Sequence, residues 1–483
     1  MFARWVETSG METAPRTSPD PSPPAPPPHG LRVALATLGC RLNEAETASI
    51  GQRFVARGYT VVPFGEPADV CVVNSCTVTL EADRKCRQLV RQALKRNPET
   101  FVAVVGCYAQ VGHEALQRID GLDLIVGSAE KLNVVELIDE RPGKRPAPEV
   151  VRPRPSREAF ALPSEATEGA ARSLRANLKV QDGCDFMCAF CLIPFARGRA
   201  RSRAVWDIQR EAQARLAAGH KELVLTGVNI GTYAHDGRGF TELVEMLERL
   251  PGLERLRISS IEPTTVESTL IRHIANSKVL CPHVHIPLQA GSDRVLAAMK
   301  RQHTQRDFLA LLEEANEHMP DAMLATDLMV GFPGESDADF AETLRVMRES
   351  PLVYAHIFRY SERPGTAAAR RPASERVAPE VKRERSEALH ELSREKFAAW
   401  RRRFEGRTVR VLTEQLDTET QTVSGTSDEY LKVRLPLSSM PPSWRSEPLN
   451  RLLTARVTAA SESSEVVDAW VNETPGHVDT YGK

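Results

Sequence analysis

Cys184, Cys188 and Cys191 fall within eight residues of one another in "GCDFMCAFCLIPFARGRARSR", and no fourth cysteine follows. A closed zinc site takes four ligands, and a disulfide framework takes an even number of thiols. Three thiolates can instead hold three irons of a cubane 4Fe–4S cluster and leave the fourth iron without a protein ligand. An open metal position marks a reactive centre rather than a structural one. A zinc knuckle completed by a distant ligand, or three buried core thiols, is the competing reading.

A second trio ends three apolar runs: Cys40 in "LATLGC", Cys76 in "CVVNSC" and Cys107 in "FVAVVGC". Each lies just past the C-terminal end of a predicted strand, where loops of an open parallel sheet converge on one crevice. A second three-thiolate cluster and three small buried apolar side chains both fit that pattern. Cys71, Cys86 and Cys281 sit inside apolar runs or beside one, and read as packing residues.

The elements that must position these thiols follow from periodicity. From Leu31, short apolar runs ("LRVALAT", "DVCVVN", "FVAVVG", "LDLIVG") alternate with helical patterns, which predicts a small open α/β sheet domain over residues 31–140. Residues 141–172 are rich in Pro, Arg and Glu without apolar period and read as a linker. A larger series over 173–402 contains "NLKVQ", "ELVLTG", "RLRISS", "HVHIPL", "AMLATDLMV" and "VYAHIFRY" with helices between them. Six such units predict a partial (β/α)6 barrel. Residues 403–472 carry five short strands at turn-like spacing, which suits a small five-stranded β-barrel of an oligonucleotide-binding type. The Pro-rich residues 1–30 and residues 473–483 read as tails.

The 483 residues carry a formal net charge of −1, which excludes global attraction to nucleic acid, so a polyanion would need a local basic patch. No apolar run is long enough to span a bilayer, and "MFARWVETSG" turns polar too early for a signal segment. A cytoplasmic, monomeric protein with reduced thiols is the expectation. Arg197, Arg199, Arg201 and Arg203 alternate beyond the barrel trio, and in an extended loop they would form a rail for RNA phosphates. Ion pairs to Asp207 or Glu211 are the alternative. Arg401, Arg402, Arg403 and Arg407 form a second run at the entrance to the last barrel. Gly227, Glu262, Gln289 and Asp327 lie at barrel strand ends, the edge that carries chemistry in such folds.

The C-x3-C-x2-C spacing after a barrel strand resembles the radical S-adenosylmethionine superfamily. Beyond it, "TLGCRLNEAET", "VVNSCTVTLEADRKCRQLVRQ", "VVGCYAQ", "LTGVNIGTY", "SSIEP", "HIPLQAGSDRVLAAMKRQHT", "TDLMVGFPGE" and "YSERPGTAA" run in order along the chain. Together they resemble the methylthiotransferases of that superfamily. The resemblance implies an N-terminal cluster domain, a radical barrel and a C-terminal TRAM domain. It implies two 4Fe–4S clusters, on Cys40, Cys76 and Cys107 and on Cys184, Cys188 and Cys191. S-adenosylmethionine would serve twice, as methyl donor and as source of a 5′-deoxyadenosyl radical. Phe190 matches the aromatic next to the adenine, and Gly227, Glu262, Gln289 and Asp327 would surround the same cofactor. A tRNA anticodon stem-loop and an electron donor such as flavodoxin or ferredoxin are the implied partners.

Among branches, "CTVTLEADRK", "GCYAQ" and "LTGVNIGTY" resemble the enzymes for N6-threonylcarbamoyladenosine at tRNA position 37. The isopentenyladenosine branch usually has Gln-Met where this chain has Arg41 and Leu42. The branch modifying a ribosomal-protein aspartate has Pro-Lys there. A non-catalytic iron–sulfur RNA-binding protein is the rival of another class.

Overall fold

The computed structural model describes residues 30–162, 174–461 and 464–471. The expected terminal tails and residues 163–172 of the expected linker lie outside these, apart from Gly30.

The N-terminal sheet comprises β1 (Arg32–Thr37), β2 (Thr60–Val62), β3 (Val70–Ser75), β4 (Phe101–Gly106), β5 (Leu124–Val126) and β6 (Glu149–Val151). All pairs are parallel, in the order β2-β1-β3-β4-β5-β6. "VCVVNS" and "FVAVVG" are buried along their whole lengths, as strands covered on both faces must be. Helix α1 (Arg41–Ala56) follows β1, α2 (Leu80–Arg96) follows β3 and α3 (Cys107–Val111) follows β4. Chain order reverses between β1 and β3, so the crevice beyond their C-terminal ends is where ligands of such sheets bind.

Two strands escaped the sequence reading. β2 is three residues long, and β6 lies inside the segment read as a linker. β6 pairs Glu149–Val151 with Leu124–Val126, so it is an edge strand with a weak apolar signature.

The second unit is built on β7 (Arg175–Lys179), the short antiparallel pair β8 (Gln181–Asp182) and β9 (Arg201–Ser202), β10 (Glu222–Thr226), β11 (Arg255–Ile258), β12 (His283–His285), β13 (Met323–Val330) and β14 (Tyr354–Arg359). β7, β10 and β11 form one parallel sheet, and β12, β13 and β14 another. Bridges from Leu256 to Leu280 and from Ser260 to His285 join them into the six-stranded partial barrel that the alternation predicted. β7 and β14 are its free edges. Its interior and helices share one apolar core running from Leu178 through Ile258 and Leu288 to Leu389.

Helix Pro379–Arg402 leads to β15 (Thr408–Asp417), β16 (Thr422–Ser427), β17 (Lys432–Pro436), β18 (Leu452–Ala459) and β19 (Val466–Val471), closed as β15-β16-β17-β19-β18. Its core takes in Met323, Val353, Trp400 and Phe404, so it packs against the starts of β13 and β14. Arg255 and Arg257 at the start of β11 donate to the carbonyls of Thr426, Ser427 and Asp428, and Glu222 pairs with both at 3.0 Å. Among the described residues no helix is long and apolar enough to cross a membrane.

Candidate cluster sites and the cleft between them

The first trio meets at the sheet's crevice. Cys40 is the N-cap of α1, Cys76 follows β3 and Cys107 opens α3. Burial pushes the Cys76 thiol up to about 11, and the nearby Cys107 and Cys40 sulfurs raise it further. Gly39 has φ of +100°, and a Cβ there would stand 2.6 Å from the Cys76 Cβ, so only glycine lets the Cys40 loop lie across Cys76.

Side chains pin the three loops together without help from the cysteines. The Asn43 amide donates to the carbonyls of Leu38 and Ser75 at 2.7 and 3.1 Å. The Asn74 amide donates to the Asn43 carbonyl at 3.0 Å. Ser75 Oγ donates to the Val105 carbonyl at 2.6 Å and accepts from the Tyr108 N–H at 3.1 Å, tying the Cys76 loop to the Cys107 turn. None of these polar residues was singled out for a role from sequence; an Asn or Ser inside an apolar strand run was the available signal.

The barrel trio lies in the loop after β8. Cys191 is pushed up to about 12 by burial, with Cys188 and Cys184 adding to it. Gln181 clamps this loop: its amide donates to the Gly183 carbonyl at 2.8 Å, and its oxygen accepts from Val228 and Asn229 N–H. Cys71, Cys86 and Cys281 are buried, as their apolar surroundings implied.

The sulfurs are already hydrogen-bond acceptors. Val78 N–H points to Cys76 Sγ at 3.5 Å, Phe186 N–H to Cys184 at 3.5 Å and Ile193 N–H to Cys191 at 3.4 Å. Arg301 Nη1 donates to Cys188 Sγ at 3.5 Å and Arg197 Nε to Cys107 Sγ at 3.2 Å. Donors aimed at sulfur suit anionic thiolates and are a means of tuning iron–sulfur centres. Both donor sets therefore fit three-cysteine clusters, in the barrel on Cys184, Cys188 and Cys191 and in the crevice on Cys40, Cys76 and Cys107. Among the described residues no three His, Cys, Asp or Glu side chains are gathered for a single metal ion.

Arg197 departs from the expected phosphate rail. It is 1 % exposed, and its guanidinium donates to Glu46, Asp182 and Asn43 as well as to Cys107. Lys131 and Lys179 also pair with Glu46, and Lys179 and Arg201 with Asp182. These charges hold the Glu46 and Asp182 carboxyls well below the usual range despite burial, which opposes them. Four cations thus face two carboxylates beside Cys107, a surplus suited to an anionic cluster.

Arg203 is corrected as well. It is fully buried, 2.6 Å from Asp207 and paired with Glu211, as the ion-pair alternative anticipated. The segment is not extended throughout: helix Ile193–Ala196 and the β8–β9 pair turn the first and last of the four arginines inward. Replacing Arg203 by methionine should destabilise the protein by about 3 kcal/mol, leaving Asp207 and Glu211 with only the outer Arg210 and Arg215 as partners. Thermal melting tests this; an unchanged melt with weakened RNA binding would restore the rail.

Arg199 is half-exposed and 3.4 Å from Asp185. In the second run Arg401 is buried and donates to the carbonyls of Ser461 and Ser464. Arg403 and Arg407 are exposed and share Asp321, and Arg402 is exposed.

The cofactor candidates occupy different places. Phe190 packs partly buried against the barrel core. Glu262 is gripped by Arg301, which also donates to Cys188 Sγ and to the Pro287 carbonyl. Gln289 has φ of +73°, rare for a non-glycine residue, and bonds through its backbone to Asp327 and Met329. Asp327 lies 3.4 Å from His285. Gly227 lines a cavity of about 680 Å³, together with Cys40, Arg41, Ser260, His283, His285, His356, Tyr430 and Lys432. This cleft joins the first trio, the barrel interior and the small barrel.

The Radical SAM superfamily pattern matches residues 178–347, and that of the uncharacterized protein family UPF0004 matches residues 32–127. The threonylcarbamoyladenosine tRNA methylthiotransferase MtaB of Bacillus subtilis (strain 168) is 36% identical over 408 residues, 83% of this chain and 89% of that one. A tRNA-2-methylthio-N(6)-dimethylallyladenosine synthase of Cereibacter sphaeroides (strain ATCC 17029 / ATH 2.4.9) is 34% identical, covering 84% and 92%. In fold, the chain is similar to the radical S-adenosylmethionine methyltransferase TsrM of Kitasatospora setae, solved with cobalamin and a 4Fe–4S cluster. That match has a TM-score of 0.52 at 15% identity and covers 72% of this chain and 80% of that one.

Proposed function

The chain belongs to the radical S-adenosylmethionine tRNA methylthiotransferases, enzymes that transfer sulfur-containing groups, and from that premise we propose its substrate and division of labour. The substrate is N6-threonylcarbamoyladenosine at position 37 of tRNA, and the product is its 2-methylthio derivative. The family's 4Fe–4S cluster sits on Cys184, Cys188 and Cys191, and a second one on Cys40, Cys76 and Cys107. When bound, these groups supply homolytic cleavage of S-adenosylmethionine and a sulfur to be methylated, chemistry that ordinary side chains lack.

One observation carries the two-cluster reading. Arg197, from the segment following Cys191, hydrogen-bonds Cys107 of the other trio, so one charge network ties the barrel loop's continuation to the crevice. The chain's own residues then have defined tasks. Gln181 holds the barrel loop against the β10 end, and Arg301 fixes Glu262 beside Cys188. The cleft is walled by three units of the protein, which shields a reacting base from water.

Exposed Val78, Leu80, Met187, Phe195 and Phe358 belong to the two thiol loops and the cleft rim, an apolar surface on which unpaired bases stack. Exposed Arg199, Arg402, Arg403 and Arg407 serve RNA phosphates, and the target base leaves its stack to enter the cleft. A one-electron donor of flavodoxin or ferredoxin type completes the cycle.

Identity alone separates the adenosine branches by two percentage points, 36% against 34%. The threonylcarbamoyl choice rests on "CTVTLEADRK", "GCYAQ", "LTGVNIGTY" and the Arg41-Leu42 pair. Mass spectrometry of tRNA nucleosides from cells with and without the gene tests it. Loss of 2-methylthio-N6-threonylcarbamoyladenosine is the expected result; loss of the isopentenyl form would move the enzyme to the sister branch.

A further inference from the structure

The floor of the cleft is unusually rich in cations. Tyr430 enters it from the β16–β17 turn with φ of +81°, a left-handed conformation costly for an aromatic residue. Around its ring stand Arg257 at 4.6 Å, Arg41 at 5.6 Å, Lys432 at 5.7 Å and Arg175 at 5.9 Å. Arg255 and Arg410 lie just behind, bonded to Asp428. Against these six cations stand Glu222, paired with Arg255 and Arg257, Glu414, paired with Arg175 and Lys432, and Asp428. Glu44 and Glu465 line the cleft as well, Glu429 lies by Arg255 and Asp327 by His285, so the acids are no fewer than the cations and what distinguishes the floor is how they are paired.

Arg41 is the cation without an acid. Its guanidinium donates to the Tyr430 hydroxyl, and among the described residues it meets no carboxylate. It lines the cleft directly beside Cys40. Next to it are ring nitrogens without a hydrogen-bond partner: Nδ1 of His283 and both of His285, whose Nε2 lies 3.4 Å from Asp327. The two side chains belong to residues only 6% and 9% exposed, and both line the cavity. Burial, with Arg257, His285 and Arg41 nearby, holds His283 well below its ordinary value, and the one N–H of its neutral ring is used by the Ile258 carbonyl. A guanidinium without an acid, opening into a cavity beside an unbonded ring nitrogen of His285, calls for an anionic acceptor.

We propose that Arg41, with Lys432 and His285 beside it, forms a carboxylate-binding subsite on the cleft floor, which takes the carboxylate of the amino-acid substituent on the target adenine. The inference rests on the threonylcarbamoyladenosine reading and adds the residues that recognise it. A hydrocarbon substituent would leave Arg41 without an anionic partner, and sites built to hydrogen-bond a polar group reject analogues that lack it.

The test is binding of three otherwise identical anticodon stem-loops to the cluster-loaded protein, read by fluorescence anisotropy. They carry N6-threonylcarbamoyladenosine, its methyl ester, or unmodified adenosine at the target position. All three present the same phosphates, so a preference for the acid reports the carboxylate. The acid is expected to bind at least about tenfold tighter than the ester, the size of a charge-assisted hydrogen bond. Arg41→Gln should bring that ratio close to one. Equal binding of acid and ester by the unaltered protein overturns the subsite, and this arm needs no variant to fold. A ratio retained in Arg41→Gln overturns the role of Arg41. The functional reading fails separately: methylthiolation of acid and ester alike would remove only the subsite, whereas methylthiolation of neither would remove the substrate assignment.

Discussion

Alanine at Cys40, Cys76 and Cys107 together is expected to lower the iron content of the anaerobically loaded protein from about eight atoms per chain to about four. Methylthiolated tRNA should fall to background in the same variant. The fold should survive, because the loops are held by Asn43, Asn74 and Ser75 and by the sheet beneath them, not by the thiols. Iron analysis, nucleoside mass spectrometry and a thermal melt together make the case. An unchanged iron content would return these cysteines to the rank of small buried side chains, and methylthiolated product from the variant would remove the second cluster from the reaction.

Arg197→Gln is expected to have the largest effect on stability. The substitution removes a guanidinium that serves Glu46, Asp182, Asn43 and Cys107 at once, all within the interface between the N-terminal sheet and the barrel. Breaking a buried ionic group on one side costs about 3–5 kcal/mol, and a fall of roughly 10 °C in melting temperature follows for a unit of this size. Glu46→Gln should cost less on top of Arg197→Gln than alone, since the two share one network and their effects couple. Strict additivity in a double-mutant cycle would show that Arg197 and Glu46 act apart. The same variant bears on chemistry, because it withdraws a positive charge and a hydrogen bond from Cys107. A changed visible spectrum of the loaded protein, with iron content preserved, is the signature that a merely structural residue would not give.

What could be read without coordinates was local and repetitive. The strands β3 and β4, the six barrel strands and the five strands of the small barrel announce themselves by apolar runs or alternation. The cysteines announce themselves by spacing and by their place after strand ends. β2 and β6 did not, being three-residue edges whose partners, not their own side chains, make them strands. The arginine run shows the same limit from the other side. Period-two alternation was sound reasoning for an extended chain, but helix Ile193–Ala196 and the β8–β9 pairing bend it, and Glu46, distant in sequence, claims Arg197 while Asp207, four residues on, claims Arg203.

The sequence by itself determined the three units, the two sets of three thiols and the family chemistry they resemble, because backbone periodicity and ligand count are properties of short segments. Only the tertiary structure decided which charges are buried and which are offered to a partner. Glu46 and Arg197 are 151 residues apart, and Arg41 and Tyr430 are 389 apart. Coulomb interactions in a buried site depend on distance and dielectric, and neither is written in a one-dimensional pattern. The buried network around Glu46 and Arg197 and the cation-lined cleft floor exist only once the sheet, the barrel and the small barrel are packed together.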